Sequence, residues 1–314
     1  MQNPIVATYR IVTQMFLGGA QPGEEAELRL PSFKGALRFW WRALRWGEVE
    51  SLEQLRTEEA DLFGSSFTGQ SRVRIWMSNA VTPEKQCAEK WKPSSWQGYV
   101  GYGLTDKGSR WYLKPGQDFS VFVDLERCSH SQIQQVLAAL KLLGLAGGLG
   151  ARSRRGWGSI TLMRLEGDAW TCPRSQDEWE RAIAELKPKA PVHQPPYTAL
   201  WRDCVWAAGP PQHSCEKAHE WLASRYRARV KDCSPKHDRA QFGLPRPFRD
   251  RPRKERRASP LFLHVHQCPG GQCLPCALWL PADFLESDPR IPGRGAHGRS
   301  FVEELKRRDS TPRA

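Results

Sequence analysis

The sequence predicts an α+β protein made of two ferredoxin-like (RRM-like, βαββαβ) domains in tandem, the second of them degraded. Three observations predict it. Hydrophobic period switches between about 2 and about 3.6 residues in the main order strand, helix, strand, strand, helix, strand up to Leu165. A charged, proline-rich stretch at 185–198, "ELKPKAPVHQPPYT", then breaks any period and reads as a linker. Beyond it, strand, helix, strand, strand, helix returns without a clear closing strand. The expected boundaries are therefore 1–184, a linker at 185–198, and 199–314, and a chain of 314 residues suits about two domains.

Each element has its own signal. Ile5, Ala7, Tyr9 and Ile11 alternate, so residues 5–13 form a strand. "PSFKGALRFWWRALRW" is a helix to about Trp46, with Ser32 as the expected N-cap. A second helix spans about 52–63 and stops at Gly64, and Val73, Ile75 and Met77 alternate in "SRVRIWMS". Residues 79–117, with Trp91, Trp96, Tyr99, Gly101, Gly103 and Trp111, are longer than an ordinary loop of about 12–15 residues and read as an insertion with a role of its own. "DFSVFVDLE" is a strand, "SQIQQVLAALKLLGLAG" the strongest helix, and "SITLMRL" the closing strand. In the second half "ALWRDCVWAA", "ASPLFLHVHQ" and "CLPCALWLP" read as strands, and "SCEKAHEWLASRYRARV" and "RSFVEELKRR" as helices.

Composition narrows the function. Forty-seven Lys and Arg against 34 Asp and Glu give a net charge of +13, the footprint of a nucleic-acid partner. No apolar run reaches the roughly 18 residues of a membrane span, and the start lacks the greasy stretch of a signal peptide, so a cytoplasmic protein is expected. Nine cysteines, an odd number, point to a reducing compartment and against a disulfide framework.

Two segments are candidates to hold a polyanion. On the 31–46 helix, Phe33, Ala36, Leu37, Trp40 and Leu44 face the sheet, while Lys34, Arg38, Arg42 and Arg45 line another side with Trp41 at its edge. No acid occurs from Leu28 to Gly47; the plainer reading is a solvated face with core tryptophans. The second segment is "GGLGARSRRGWG", 147–158, whose Gly148, Gly150, Arg152, Ser153, Arg154 and Arg155 offer backbone donors and cations for a sugar-phosphate chain. A nucleotide-phosphate loop is excluded by order, since this loop runs from helix to strand and has no lysine.

The second half adds two features. "RPFRDRPRKERR", 246–257, with Arg249, Arg256 and Arg257, reads either as an arm ordered by RNA or a neighbour, or as a solvated loop. Cys273 and Cys276 have the gap of a zinc knuckle, which Cys268, His264 or His266 would complete. Only one such pair exists and alternation sends neighbours to opposite faces, so no metal or other cofactor is expected.

"FLGGAQP", "LRLPSFKGALRFWWRAL", "LFGSSFTGQSRVRI", "GGLGARSRRGWGSI" and "RRASPLFLHV" together resemble the RAMP superfamily of CRISPR-associated proteins, closest in pattern to the type III-B Cmr effector complexes. The resemblance implies a non-catalytic subunit of an antiviral ribonucleoprotein, whose partners are the CRISPR guide RNA near its 3′ part, target RNA and other Cmr-complex subunits. It carries the RNA-facing helix onto Lys34–Arg45 and the glycine-rich loop onto Gly147–Gly158. Two alternatives stay open. A RAMP endoribonuclease would need a general acid and base, for which His193, His213, His219 and His237 show no recognisable pairing. An assembly protein would use the 14 tryptophans at protein interfaces.

Overall fold

The computed structural model describes residues 4–19, 25–67, 69–77, 84–188, 195–233, 236–243, 258–282 and 296–306. The chain is a mixed α+β protein with antiparallel sheets. In the first sheet β2 (Arg74–Met77), β5 (Asp118–Asp124), β1 (Ile5–Ile11) and β6 (Ile160–Glu166) lie side by side in that order, every neighbour antiparallel. Alternation decides which face is covered. Ala7, Tyr9 and Ile11 of β1 and Phe119, Val121 and Val123 of β5 are buried under α1 (Leu30–Arg45) and α4 (His130–Ala146). The buried Tyr9 hydroxyl donates to the carbonyl of Leu140 in α4 at 2.9 Å, which satisfies its one polar atom.

Helix ends follow local chemistry. Ser129 and Gln132 form a reciprocal capping box on α4. Ser51 caps α2 (Leu52–Phe63) by accepting from the Gln54 amide, and Gly64, at φ +77°, ends it as expected. The expected Ser32 cap of α1 is corrected. The helix starts at Leu30, Arg29 occupies the cap position without a side-chain bond, and Pro31 sits in the first turn, where its missing N–H costs nothing. Between β2 and β5, the 79–117 stretch contains a two-stranded sheet of β3 (Lys85–Ala88) and β4 (Arg110–Leu113) with the short α3 (Trp96–Val100) between them.

The second sheet has the order β7 (Val205–Ala208), β9 (Cys273–Trp279), β8 (Leu261–Gln267). It packs against α6 (Cys215–Lys231) and α7 (Ala296–Lys306) on one side and the first half on the other, so β9 is buried throughout and β8 nearly so. The strand expected at 199–208 is shorter, because Ala199–Trp201 packs on the end of α1, with the Leu200 amide donating to the Ala43 carbonyl at 2.9 Å. A helix not foreseen, α5 (Gln176–Leu186), runs into the start of the expected linker. One apolar core joins the halves: Phe262 of β8 lies 5.2 Å from Trp40 and 5.7 Å from Phe39 of α1. The expectation of reduced cysteines fails at one pair, since a disulfide joins Cys215 at the start of α6 to Cys273 at the start of β9.

Candidate nucleic-acid interface

The cationic side of α1 is not a free face. Glu59 of α2, almost fully buried, accepts from Arg38 Nε at 2.7 Å and from Arg42 Nη1 at 2.5 Å through the same oxygen. Arg45 donates to Glu58 at 2.6 Å and also pairs with Glu48. The missing acids thus come from the next helix and its approach, outside the acid-free window. Lys34 stands one turn before this ladder, its ammonium pKa drawn below the ordinary range by burial and by Arg38. Trp41 is a core residue, 1% exposed, edge-on to Phe63 at 5.8 Å, with its Nε1 donating to Gln135 at 3.2 Å. In this position it cannot stack on a base, which corrects its expected role.

The glycine- and arginine-rich loop likewise spends most of its groups on the protein. At Gly148 a Cβ would come within 2.8 Å of the Gly158 carbonyl, and at Gly150, with φ +86°, within 2.6 Å of the Phe16 carbonyl. These glycines let the loop close on itself and on the segment after β1, where the Leu149 amide donates to the Gly158 carbonyl and the Ala151 amide to the Phe16 carbonyl, each at 2.9 Å. Ser153 sits in the turn, its carbonyl accepting from Gly156 at 3.3 Å.

Arg154 points into the joint between the halves. It donates to the Ser259 carbonyl at 2.6 Å and its guanidinium lies 4.5 Å from the Phe262 ring and 5.1 Å from the Phe39 ring. Burial, with Arg155 beside it, pushes its pKa down to about 10, so it still carries charge at neutral pH. Arg155 donates to the Phe242 carbonyl at 2.7 Å and lies over Tyr226 at 4.4 Å. Backbone bonds tighten the joint: the Leu263 amide donates to the Arg154 carbonyl, and the amides of Val265 and Gln267 donate to the hydroxyls of Ser159 and Thr161. The edge of β8 is thereby satisfied by the first half instead of by water.

α1 and the loop do converge, through Phe39 and Arg154, yet Arg154 and Arg155 face inward. Arg152 differs. It is exposed, holds φ +62°, alone among the described non-glycine residues in having a positive φ, and lies against Gly103 of the insertion. Arg249, Arg256 and Arg257 fall outside the described residues.

The metal alternative finds no support. Cys273 is in the disulfide, His264 Nδ1 donates to the Gly147 carbonyl at 2.9 Å, and His266 Nε2 donates to the Pro173 carbonyl at 3.0 Å. Burial pushes the thiol pKa of Cys268 up to about 11 and that of Cys276 up as well, disfavouring the thiolates a metal needs. No group of three metal-binding side chains occurs among the described residues. No helix among them is long and apolar enough to cross a membrane.

Sequence reasoning missed what the tryptophans do. Trp157, from the loop, is stacked on Trp91 at 4.8 Å and on Trp96 at 5.7 Å, with His219 of α6 edge-on at 4.7 Å. The insertion, the loop and the second half are locked by this cluster; the signal was the paired tryptophans of 79–117 together with "GWG". Among the described residues four large apolar side chains face solvent instead: Phe67, Trp76, Tyr102 and Trp111. For Trp76 the signal was present, since it is out of phase with Ile75 and Met77.

Comparison with known proteins agrees with this architecture. Residues 8–161 match the RAMP superfamily. The chain is 29% identical over 270 residues to the CRISPR system Cmr subunit Cmr1-1 of Pyrococcus furiosus, covering 79% of this chain and 78% of that one. It is 28% identical over 178 residues to Cmr1-2 of the same organism, covering 49% of this chain and 92% of the relative. The crystal structure of apo Cmr1 from P. furiosus superposes with a TM-score of 0.64 at 25% identity, over 90% of this chain and 88% of that one. A chain of the type III-B Cmr-beta complex bound to cognate target RNA shares the fold at TM-score 0.70 and 12% identity, over 97% and 99% of the two chains. Over residues 8–161, just under half of its length, the chain matches the RAMP superfamily, the resemblance that its motifs carry.

Proposed function

We propose that this chain is a non-catalytic, RNA-binding subunit of a type III-B Cmr ribonucleoprotein, seated with other Cmr subunits on guide and target RNA near the guide's 3′ part. The carrying observation is its near end-to-end likeness to a Cmr subunit, 79% of this chain against 78% of the relative. The sheet orders support tandem ferredoxin-like domains: β2-β5-β1-β6 is the split βαβ order with the 79–117 stretch inserted, and β7-β9-β8 is the same order without its closing strand.

The state of the histidines favours binding over cutting. Burial pushes the pKa of His219 down to about 4, of His264 to about 3 and of His266 to about 4, and each ring donates to a carbonyl. Such rings are neutral at neutral pH and hold one N–H on a carbonyl, so none is an imidazolium able to protonate a leaving group. His193 lies outside the described residues, and His213 is exposed. Incubating the full chain, alone and with the other subunits, with end-labelled CRISPR repeat RNA tests the proposal. A retained and intact RNA is expected; a defined cut that a His213→Ala variant abolishes would overturn it.

A further inference from the structure

The face of the first sheet turned away from α1 and α4 carries an aromatic pair for which neither helix provides cover. Trp76 of the edge strand β2 stands directly opposite Phe122 of β5, their rings 5.7 Å apart and 7° from parallel. Trp76 is 42% exposed. In the same cross-strand row Val6 of β1 follows Phe122, and in the next row Ser120 opposes Thr8, which opposes Arg164 of β6. The Thr8 and Ser120 hydroxyls are hydrogen-bonded at 3.0 Å. The Arg164 side chain is 74% exposed, and its nearest carboxylate, Glu166, is 3.7 Å away.

We infer that this sheet face is a single-stranded RNA site, with a base stacked on Trp76 and Phe122, the Thr8–Ser120 hydroxyls meeting a ribose 2′-OH or base edge, and Arg164 on a phosphate. The inference rests on the RNA-binding reading above and names a surface that neither α1 nor the glycine-rich loop supplies. Size argues for a base over a protein. A stable protein interface covers about 800 Å² per partner around an apolar centre. Among the described residues the apolar centre here is Trp76, Phe122 and Val6, fenced by the Arg10–Asp118 and Arg74–Asp124 pairs. A centre of three side chains suits one or two stacked bases better than a protein. Stacking is indifferent to sequence, hydroxyls recognise ribose, and the net charge of +13 favours a polyanion.

The test uses the full chain and a fluorescein-labelled 12-nucleotide oligouridylate, read by anisotropy alongside the melting temperature. Trp76→Ala should weaken binding roughly 5- to 150-fold, the equivalent of about 1–3 kcal/mol for a lost base stack, and Trp76→Phe should recover most of it. Arg164→Gln should lower the salt slope by about 0.7. Photocrosslinking the wild-type chain to 4-thiouridine RNA should give adducts on the peptides holding Trp76 or Phe122, a readout independent of any variant's folding. Adducts confined elsewhere, or wild-type affinity in a folded Trp76→Ala chain, would overturn the site while leaving RNA binding intact. A Trp76→Ala chain that keeps its RNA affinity but drops out of the reconstituted particle would show a protein interface instead. A wild-type chain that binds no oligonucleotide would sink the RNA-binding reading itself.

Discussion

The guanidinium of Arg154 lies over the ring of Phe262 at 4.5 Å and donates to the Ser259 carbonyl at 2.6 Å, so a cation from the first half is the pin of the second. Its buried contacts combine a desolvated cation–π pair and a charge-assisted hydrogen bond. Arg154→Ala should therefore cost about 2–4 kcal/mol of stability. Arg152→Ala, at an exposed position, should stay within about 0.5 kcal/mol. Urea unfolding of the two variants checks the contrast; equal losses would contradict it.

Glu59 holds Arg38 and Arg42 through one buried oxygen. Glu59→Gln removes the charge while keeping the shape, leaving two arginines without their shared anion. Stability should fall by about 1–3 kcal/mol. The same change frees two cations on α1, so oligonucleotide affinity at low salt should rise and its salt slope steepen. A stability loss with an unchanged slope would show that this helix face takes no part in binding.

Acid should loosen the chain through its buried histidines. In the native state burial lowers the pKa of His219 to about 4, of His264 to about 3 and of His266 to about 4, whereas an unfolded chain protonates them near the ordinary value of about 6.5. Below about 6.5 the unfolded state binds more protons, so the stability they contribute is full above that pH. It declines as pH falls from about 6.5 towards 3–4, by up to about 1.4 kcal/mol per histidine per pH unit. Urea midpoints at pH 7.5, 5.5 and 4.5 should fall in that order, and a flat series would contradict the burial of these rings.

Trp157 should be the least replaceable side chain of the glycine-rich loop. It is sandwiched with Trp91 and Trp96 and touched by His219. Trp157→Ala should cost about 3–5 kcal/mol and raise amide hydrogen exchange across 85–113, because the insertion loses its anchor. Normal protection there would mean that other contacts hold the insertion.

The strands and helices of the first half were legible because one face of each is apolar and the period survives: Ala7, Tyr9 and Ile11 are buried as their alternation requires. Site residues were less legible, for a physical reason. A cation's role depends on which acid or ring folding brings beside it, and Glu59 and Phe262 lie 21 and 108 positions beyond Arg38 and Arg154. Local charge counting sees neither. The same limit hid the pairing of Cys215 with Cys273, 58 residues apart. Trp76 was readable from its phase, but alternation gave no hint that Phe122 would stack on it.

The most direct measurement reconstitutes the Cmr particle with this chain and photoreactive guide RNA, then maps crosslinks and RNA integrity in one sample. Adducts on this chain towards the guide's 3′ part, with the guide full length, are the expected result. A particle in which this chain carries no adduct, or a guide cut only when the chain is present, would contradict a subunit that binds RNA without breaking it.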